Sequence, residues 1–176
     1  EEDGENEDEE DSEEPPQVLK ITGVLQLDAG VGGTTDELTP GAAIANGTVF
    51  LKNFPDQTAL SDANGLFTLE LEVPASASLA ATQRSIVMWY TTTGSSIKFG
   101  TQQDIQPNPN ELLDIGTVNL SYTKQMRIWL QDQTSTDIPN FFTVCTAVIE
   151  GYGDKVTPTS NGSFIIADYL PPAHYK

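Results

Sequence analysis

The sequence predicts an all-β protein, an antiparallel β-sandwich followed by a second, incomplete β domain. Three observations predict it. Leu66 to Val73 alternates strictly, with Phe67, Leu69, Leu71 and Val73 on one face and Thr68, Glu70 and Glu72 on the other. That is the two-residue period of a strand with one wet face. Short β-rich runs recur between turns rich in Gly, Pro and Asn. No stretch sustains the 3.6-residue period of a capped helix, so many short strands must share a core as a sandwich or barrel.

The elements follow in order. Residues 1–17 form an acidic tail: 11 acids fall in the first fourteen residues, with no apolar side chain to bury, and disorder is the expectation. Residues 18–121 are the expected sandwich. Val18 to Leu27 reads as its first strand, with a bulge at Gly23. Asp28 to Ala43 reads as a loop and Thr48 to Leu51 as a short strand. Asp62-Ala63-Asn64-Gly65 is a turn before Leu66 to Val73. Ile86 to Tyr90 is nearly all apolar and suits a central strand. Ile97 to Phe99 follows, Gln102 to Asn110 reads as a proline-containing loop, and Gly116 to Tyr122 as a strand. Residues 122–176 are the partial second domain, with strands expected at Gln125 to Leu130, Phe141 to Ile149 and Ser163 to Ala167.

The charge excludes several functions. The 176 residues carry 26 acids against 8 bases, a net charge of −18, and 15 acids against 8 bases remain beyond the tail. Such a chain repels nucleic-acid phosphates and anionic membranes, and no apolar run is long enough to span a bilayer. One cysteine and one histidine remove disulfides, cysteine-rich metal sites and most acid–base constellations. Cys145 sits in an apolar run and reads as a buried, inert thiol. His174 has no partner suggested by sequence for general base chemistry.

Four sets of residues remain candidates. Asp28, Asp36, Glu37, Asp56 and Asp62 lie in or beside loops, where carboxylates can hold Ca2+, although EF-hand spacing is absent. The bland alternative is that Asp62 and Asn64 cap their own turn. Asn64-Gly65 and Asn161-Gly162 each stand two residues before a strand-opening phenylalanine, 97 residues apart. Both glycines are expected at left-handed turn positions. Trp89, Tyr90, Trp129 and Tyr152 can form an aromatic face for carbohydrate, or pack in the core. Asn46, Asn119 and Asn161 head glycosylation-type triplets, at a frequency no greater than chance.

The motif order carries a resemblance. Gly23-Val24-Leu25 opens the folded part, Gly47-Thr48-Val49-Phe50-Leu51 follows, then Ser61-Asp62-Ala63-Asn64-Gly65-Leu66-Phe67, then Asp114-Ile115-Gly116-Thr117-Val118-Asn119-Leu120. This succession resembles the carboxypeptidase-regulatory-like family, a transthyretin-like sandwich related in architecture to immunoglobulin-like folds. Asn161-Gly162-Ser163-Phe164 and Leu170-Pro171-Pro172-Ala173-His174-Tyr175 resemble a second, partial copy.

The resemblance implies a noncatalytic module, secreted or at the cell surface. The related hydrolases rest on several histidines, and only His174 is present. The second copy has about 50 residues where the first has about 100. An incomplete core invites packing on the first domain or a strand supplied by another subunit. The leading expectation is therefore a structural or adhesion protein, a filament subunit among the possibilities, with itself or a surface protein as partner. A carbohydrate- or calcium-binding surface module is the alternative.

Overall fold

The computed structural model describes residues 15–31, 38–73, 84–91, 98–129, 149–153, 159–160 and 164–172. Ten strands lie among them: β1 (Gln17–Leu27), β2 (Thr48–Leu51), β3 (Phe54–Leu60), β4 (Leu66–Val73), β5 (Arg84–Thr91), β6 (Lys98–Ile105), β7 (Leu112–Tyr122), β8 (Lys124–Trp129), β9 (Thr159–Ser160) and β10 (Phe164–Leu170). No α-helix occurs among the described residues. The protein is all-β, as the alternation and turn spacing predict.

Seven strands make one sheet in the order β3-β2-β5-β6-β7-β1-β4, and three more make a second in the order β8-β10-β9. Pairing is antiparallel except between β1 and β7, which run parallel from Lys20↔Leu112 to Leu27↔Leu120. The purely antiparallel expectation therefore changes at one pair. The terminal strands of the large sheet, β3 and β4, are neighbours in sequence, joined by the turn at Ser61 to Gly65. That short connection brings the two edges back toward each other, so the sheet is nearly closed.

Three boundaries differ from the sequence reading for physical reasons. β3 escapes it because Pro55, Asp56, Gln57 and Thr58 carry no apolar alternation, which an edge strand tolerates. β6 runs on through Gln102 to Ile105, where a loop was expected. Its polar side chains there accompany an antiparallel ladder with β5 up to Arg84↔Ile105. β7 starts at Leu112, before the expected Gly116, because the bulge interrupts its pattern. Between Thr22 and Val24 the register slips, and Ile115 and Gly116 oppose Gly23 alone. The extra residue thus belongs to β7, with Gly116 at φ +69°. Gly23 itself allows close approach: a Cβ there would stand 2.9 Å from the Gly116 carbonyl oxygen and 3.0 Å from Phe67 Cε1. Of the expected strand Phe141 to Ile149, only Ile149 lies within the described residues, and Cys145 lies outside them.

Side-chain burial explains the layering. On β4 the faces alternate without exception, and Phe67, Leu69, Leu71 and Val73 enter the main core. Val118 and Leu120 of β7 join them, as expected. β2 and β5 behave differently. Val49, Phe50 and Leu51 are all buried, and so are Ile86, Val87 and Met88. Val49, Leu51, Ile86 and Met88 face the main core, whereas Phe50 and Val87 face the other way into a second apolar cluster with Ile149, Tyr152, Ala167 and Leu170. Trp89 and Met126 flank that cluster. The described residues Ile149, Tyr152, Ala167 and Leu170 therefore pack on the outer face of β2 and β5.

Two changes test this layout. Phe50→Ala removes a fully buried ring that meets both Trp89 and Tyr152. It should cost about 3–5 kcal/mol in chemical denaturation; a loss below about 1 kcal/mol would place Phe50 at the surface. Gly65 has φ +78°, its carbonyl accepts from the Leu25 N–H at 2.8 Å, and a Cβ there would collide with the Leu25 carbonyl oxygen. Gly65→Val should therefore lower the melting temperature far more than Val at exposed Ala63. Equal shifts would refute the turn geometry.

Candidate functional site

The site is built from the turn between β3 and β4 outward. Ser61 is the sole polar side chain in the buried set among the described residues. Its hydroxyl donates to the Ile44 carbonyl and accepts the Gly47 N–H at 2.8 Å, fixing the preceding loop against the turn. Asp62 then organises the start of β4. Its Oδ1 accepts the N–H groups of Asn64 (2.8 Å) and Leu66 (2.9 Å), and its own N–H donates to the Leu66 carbonyl at 2.8 Å. Both edge-facing backbone groups of Leu66 are thereby occupied.

Beyond this point the two strands diverge to different partners, β3 to β2 and β4 to β1. No backbone ladder joins them. At the far end of the seam a side chain does the work of a peptide group. Gln57 Nε2 donates to the Glu72 carbonyl at 3.3 Å, and its Oε1 accepts the Glu72 N–H at 3.2 Å. In an antiparallel pair, alternate residues point both backbone groups to the same side. Since Glu72 points its pair into the seam, Glu70 and Thr68 do so too, between the Asp62 and Gln57 caps. Those two residues offer two donors and two acceptors along an edge that no strand covers among the described residues.

Charge is concentrated here. Thr68, Glu70 and Glu72 are exposed on β4 and Asp56 on β3, with Asp62 at the turn. The one ion pair among the described residues is Lys20 Nζ to Glu70 Oε1 at 3.0 Å, with both side chains roughly half exposed, a geometry in which such pairs contribute little. Leu60 and Leu66, 61% and 48% exposed, frame the turn with apolar surface that the fold itself leaves uncovered.

The residues singled out from sequence fall elsewhere or into structural roles. Asp28 Oδ1 accepts the Gly30 N–H at 2.9 Å, Asp56 is exposed on β3, and Asp62 caps the turn. Asp36 and Glu37 lie outside the described residues, and among those described no three His, Cys, Asp or Glu side chains group around a metal-sized space. Asn64 and Gly65 occupy the turn, whereas Asn161, Gly162 and His174 lie outside the described residues.

The four aromatics separate. Trp89 and Tyr152 meet at 6.1 Å, both against Phe50, and Tyr152 is fully buried with its hydroxyl donating to Gln102 Oε1 at 2.8 Å. Tyr90 packs against the main core on the opposite face of β5. Trp129 pairs through its backbone with Phe164, and its side chain lies outside the described set. Trp89 and Tyr152 thus hold the second layer in place. Asn46 is exposed at φ +59°; Asn119 Oδ1 accepts from Gln26 Nε2 at 2.6 Å.

Sequence reasoning found Asp62 but missed Gln57. A lone glutamine in an unrecognised edge strand has no periodic signal; only the strand's position beside β4 gives it meaning. Family models, curated proteins and solved structures offer no match to this chain.

The caps can be separated by substitution. Asp62→Ala leaves the Asn64 and Leu66 N–H groups without their acceptor and should cost about 1–2 kcal/mol. Gln57→Ala breaks two long, partly exposed bonds and should cost under about 1 kcal/mol. Urea unfolding of both variants checks the order; a larger loss at Gln57 would make the seam a main support of the fold.

Proposed function

We propose that this chain is a noncatalytic structural module, a transthyretin-like β-sandwich of carboxypeptidase-regulatory-like type with an incomplete second β domain, secreted or held at a cell surface. Its role is assembly or adhesion, and it acts by accepting an extended strand from another chain, a second copy or a surface protein. The observation that supports this reading is the β4 edge. A regular eight-residue strand ends the sheet, and among the described residues an aspartate cap and a glutamine cap alone lie over its seam-side backbone groups. Natural edges are usually protected by bulges, prolines or cover, and an edge left open is the site used in strand addition. The arrangement of the other polar groups agrees: Ser61, Asp62, Asp28 and Gln102 all serve turns or packing. Among the described residues, Ile149, Tyr152, Ala167 and Leu170 are taken up by packing on the body, whereas the β4 edge between its two caps is not taken up by the fold.

The test is a proline. Thr68 points its N–H into the seam, so Thr68→Pro removes no ladder bond, whereas Leu69 faces β1 opposite Ile21 and Leu69→Pro breaks one. Thr68→Pro should stay folded by circular dichroism, and Leu69→Pro should lose about 3 kcal/mol or more. The full-length protein, isolated from its source surface or medium, should run in complexes above monomer mass by light scattering, and Thr68→Pro should run as monomer. Complexes of equal mass for both would refute strand addition at β4.

A further inference from the structure

We propose that the seam between β3 and β4 takes an extended segment of a different protein, one with Lys or Arg at alternate positions and small apolar residues between them. This rests on the strand-acceptor reading above and adds the chemistry of the donor.

The geometry sets the alternation. Leu66, Thr68, Glu70 and Glu72 point backbone groups into the seam and side chains to solvent, while Phe67, Leu69, Leu71 and Val73 point inward. A strand laid against β4 repeats this parity. Its solvent-side residues lie directly opposite Thr68, Glu70 and Glu72, at the spacing where cross-strand charge pairs act. Its inward residues meet the flank of the main core, where Phe54 and Ala59 of β3 are only partly buried. Small apolar side chains suit that flank, since Leu69 and Leu71 beside it are already buried.

The charge sets the sign. Asp56, Asp62, Glu70 and Glu72 surround the seam, with Lys20 as the one base paired to them among the described residues. A second copy of this chain, at net −18, meets like charge at encounter, while a basic segment is drawn in. Gln57 is the latch. Its amide already satisfies Glu72 as a strand would, so the donor must displace it and widen the seam toward two strand spacings, roughly 9.6 Å.

The experiment uses the full chain and two synthetic peptides, acetyl-Thr-Lys-Val-Lys-Val-Lys-Thr-amide and the same peptide with Glu for Lys, followed by titration calorimetry. The Lys peptide should bind and the Glu peptide should not. Glu70→Gln and Glu72→Gln should each weaken binding by roughly threefold to tenfold and flatten its salt dependence. Gln57→Ala should tighten it roughly threefold or more, because the competitor is gone. Thr68→Pro should abolish it. Equal binding of both peptides, binding unchanged in Thr68→Pro, or no binding of the Lys peptide overturns the proposal. Absence of peptide binding together with native complexes lost in Thr68→Pro would overturn the basic donor alone and leave the strand-acceptor reading standing. Peptide binding with native complexes unaffected by Thr68→Pro would do the reverse.

Discussion

The constraint on which the structure depends is the two-sided burial of β2 and β5. A strand exposed to water on one face can alternate, but Val49-Phe50-Leu51 and Ile86-Val87-Met88 are buried on consecutive residues, so each face needs its own cover. The inner face closes on the main core with β1, β4 and β7. The outer face is covered by Ile149, Tyr152, Ala167 and Leu170. Without residues after Lys124, Phe50 and Val87 would stand in water beside Trp89, an apolar patch of the kind that drives association. The described residues Ile149, Tyr152, Ala167 and Leu170 find apolar surface on the body, and Tyr152 is tied there through Gln102.

The two ends of the sheet order meet at the seam. The chain places β3 and β4 at opposite ends of seven strands yet joins them by five residues, Ser61 to Gly65. The turn holds one end of the seam through Ser61 and Asp62, and the side chain of Gln57 holds the other. Between them the edge of β4 stays regular, unbulged and free of proline. The same alternation that sends Phe67 and Leu69 into the core sends the backbone groups of Thr68 and Glu70 into the seam. Core face and uncovered edge are thus two consequences of one strand.

Much of this was legible in the sequence, because the strongest signals are local. The alternation of Leu66 to Val73 gave a strand and its core face. Asn64-Gly65 gave a left-handed turn position, and the nearly all-apolar run Ile86 to Tyr90 suited a central strand. What stayed hidden depends on neighbours. β3 has the composition of a loop and becomes a strand only because β2 pairs with it. Gln102 looked like part of a proline-rich loop, yet it lies on β6 under Tyr152. The parallel pairing of β1 with β7 joins residues about a hundred positions apart, and no local pattern encodes its direction. Gln57 acquired meaning only once Glu72 was placed opposite it. The aromatic set shows the same limit: composition suggested one face, but adjacent Trp89 and Tyr90 must point to opposite sides of β5.

Amide hydrogen exchange along β4 reports whether its edge is open to a partner strand. In the free protein the N–H groups of Leu69 and Leu71, bonded to β1, should exchange slowly, while those of Thr68 and Glu70 should exchange orders of magnitude faster. In the native complex the slow pattern should extend to Thr68 and Glu70 and leave Leu69 and Leu71 unchanged. Uniform protection along β4 in the free protein, or no change at Thr68 and Glu70 in the complex, would rule out strand addition at the β4 edge.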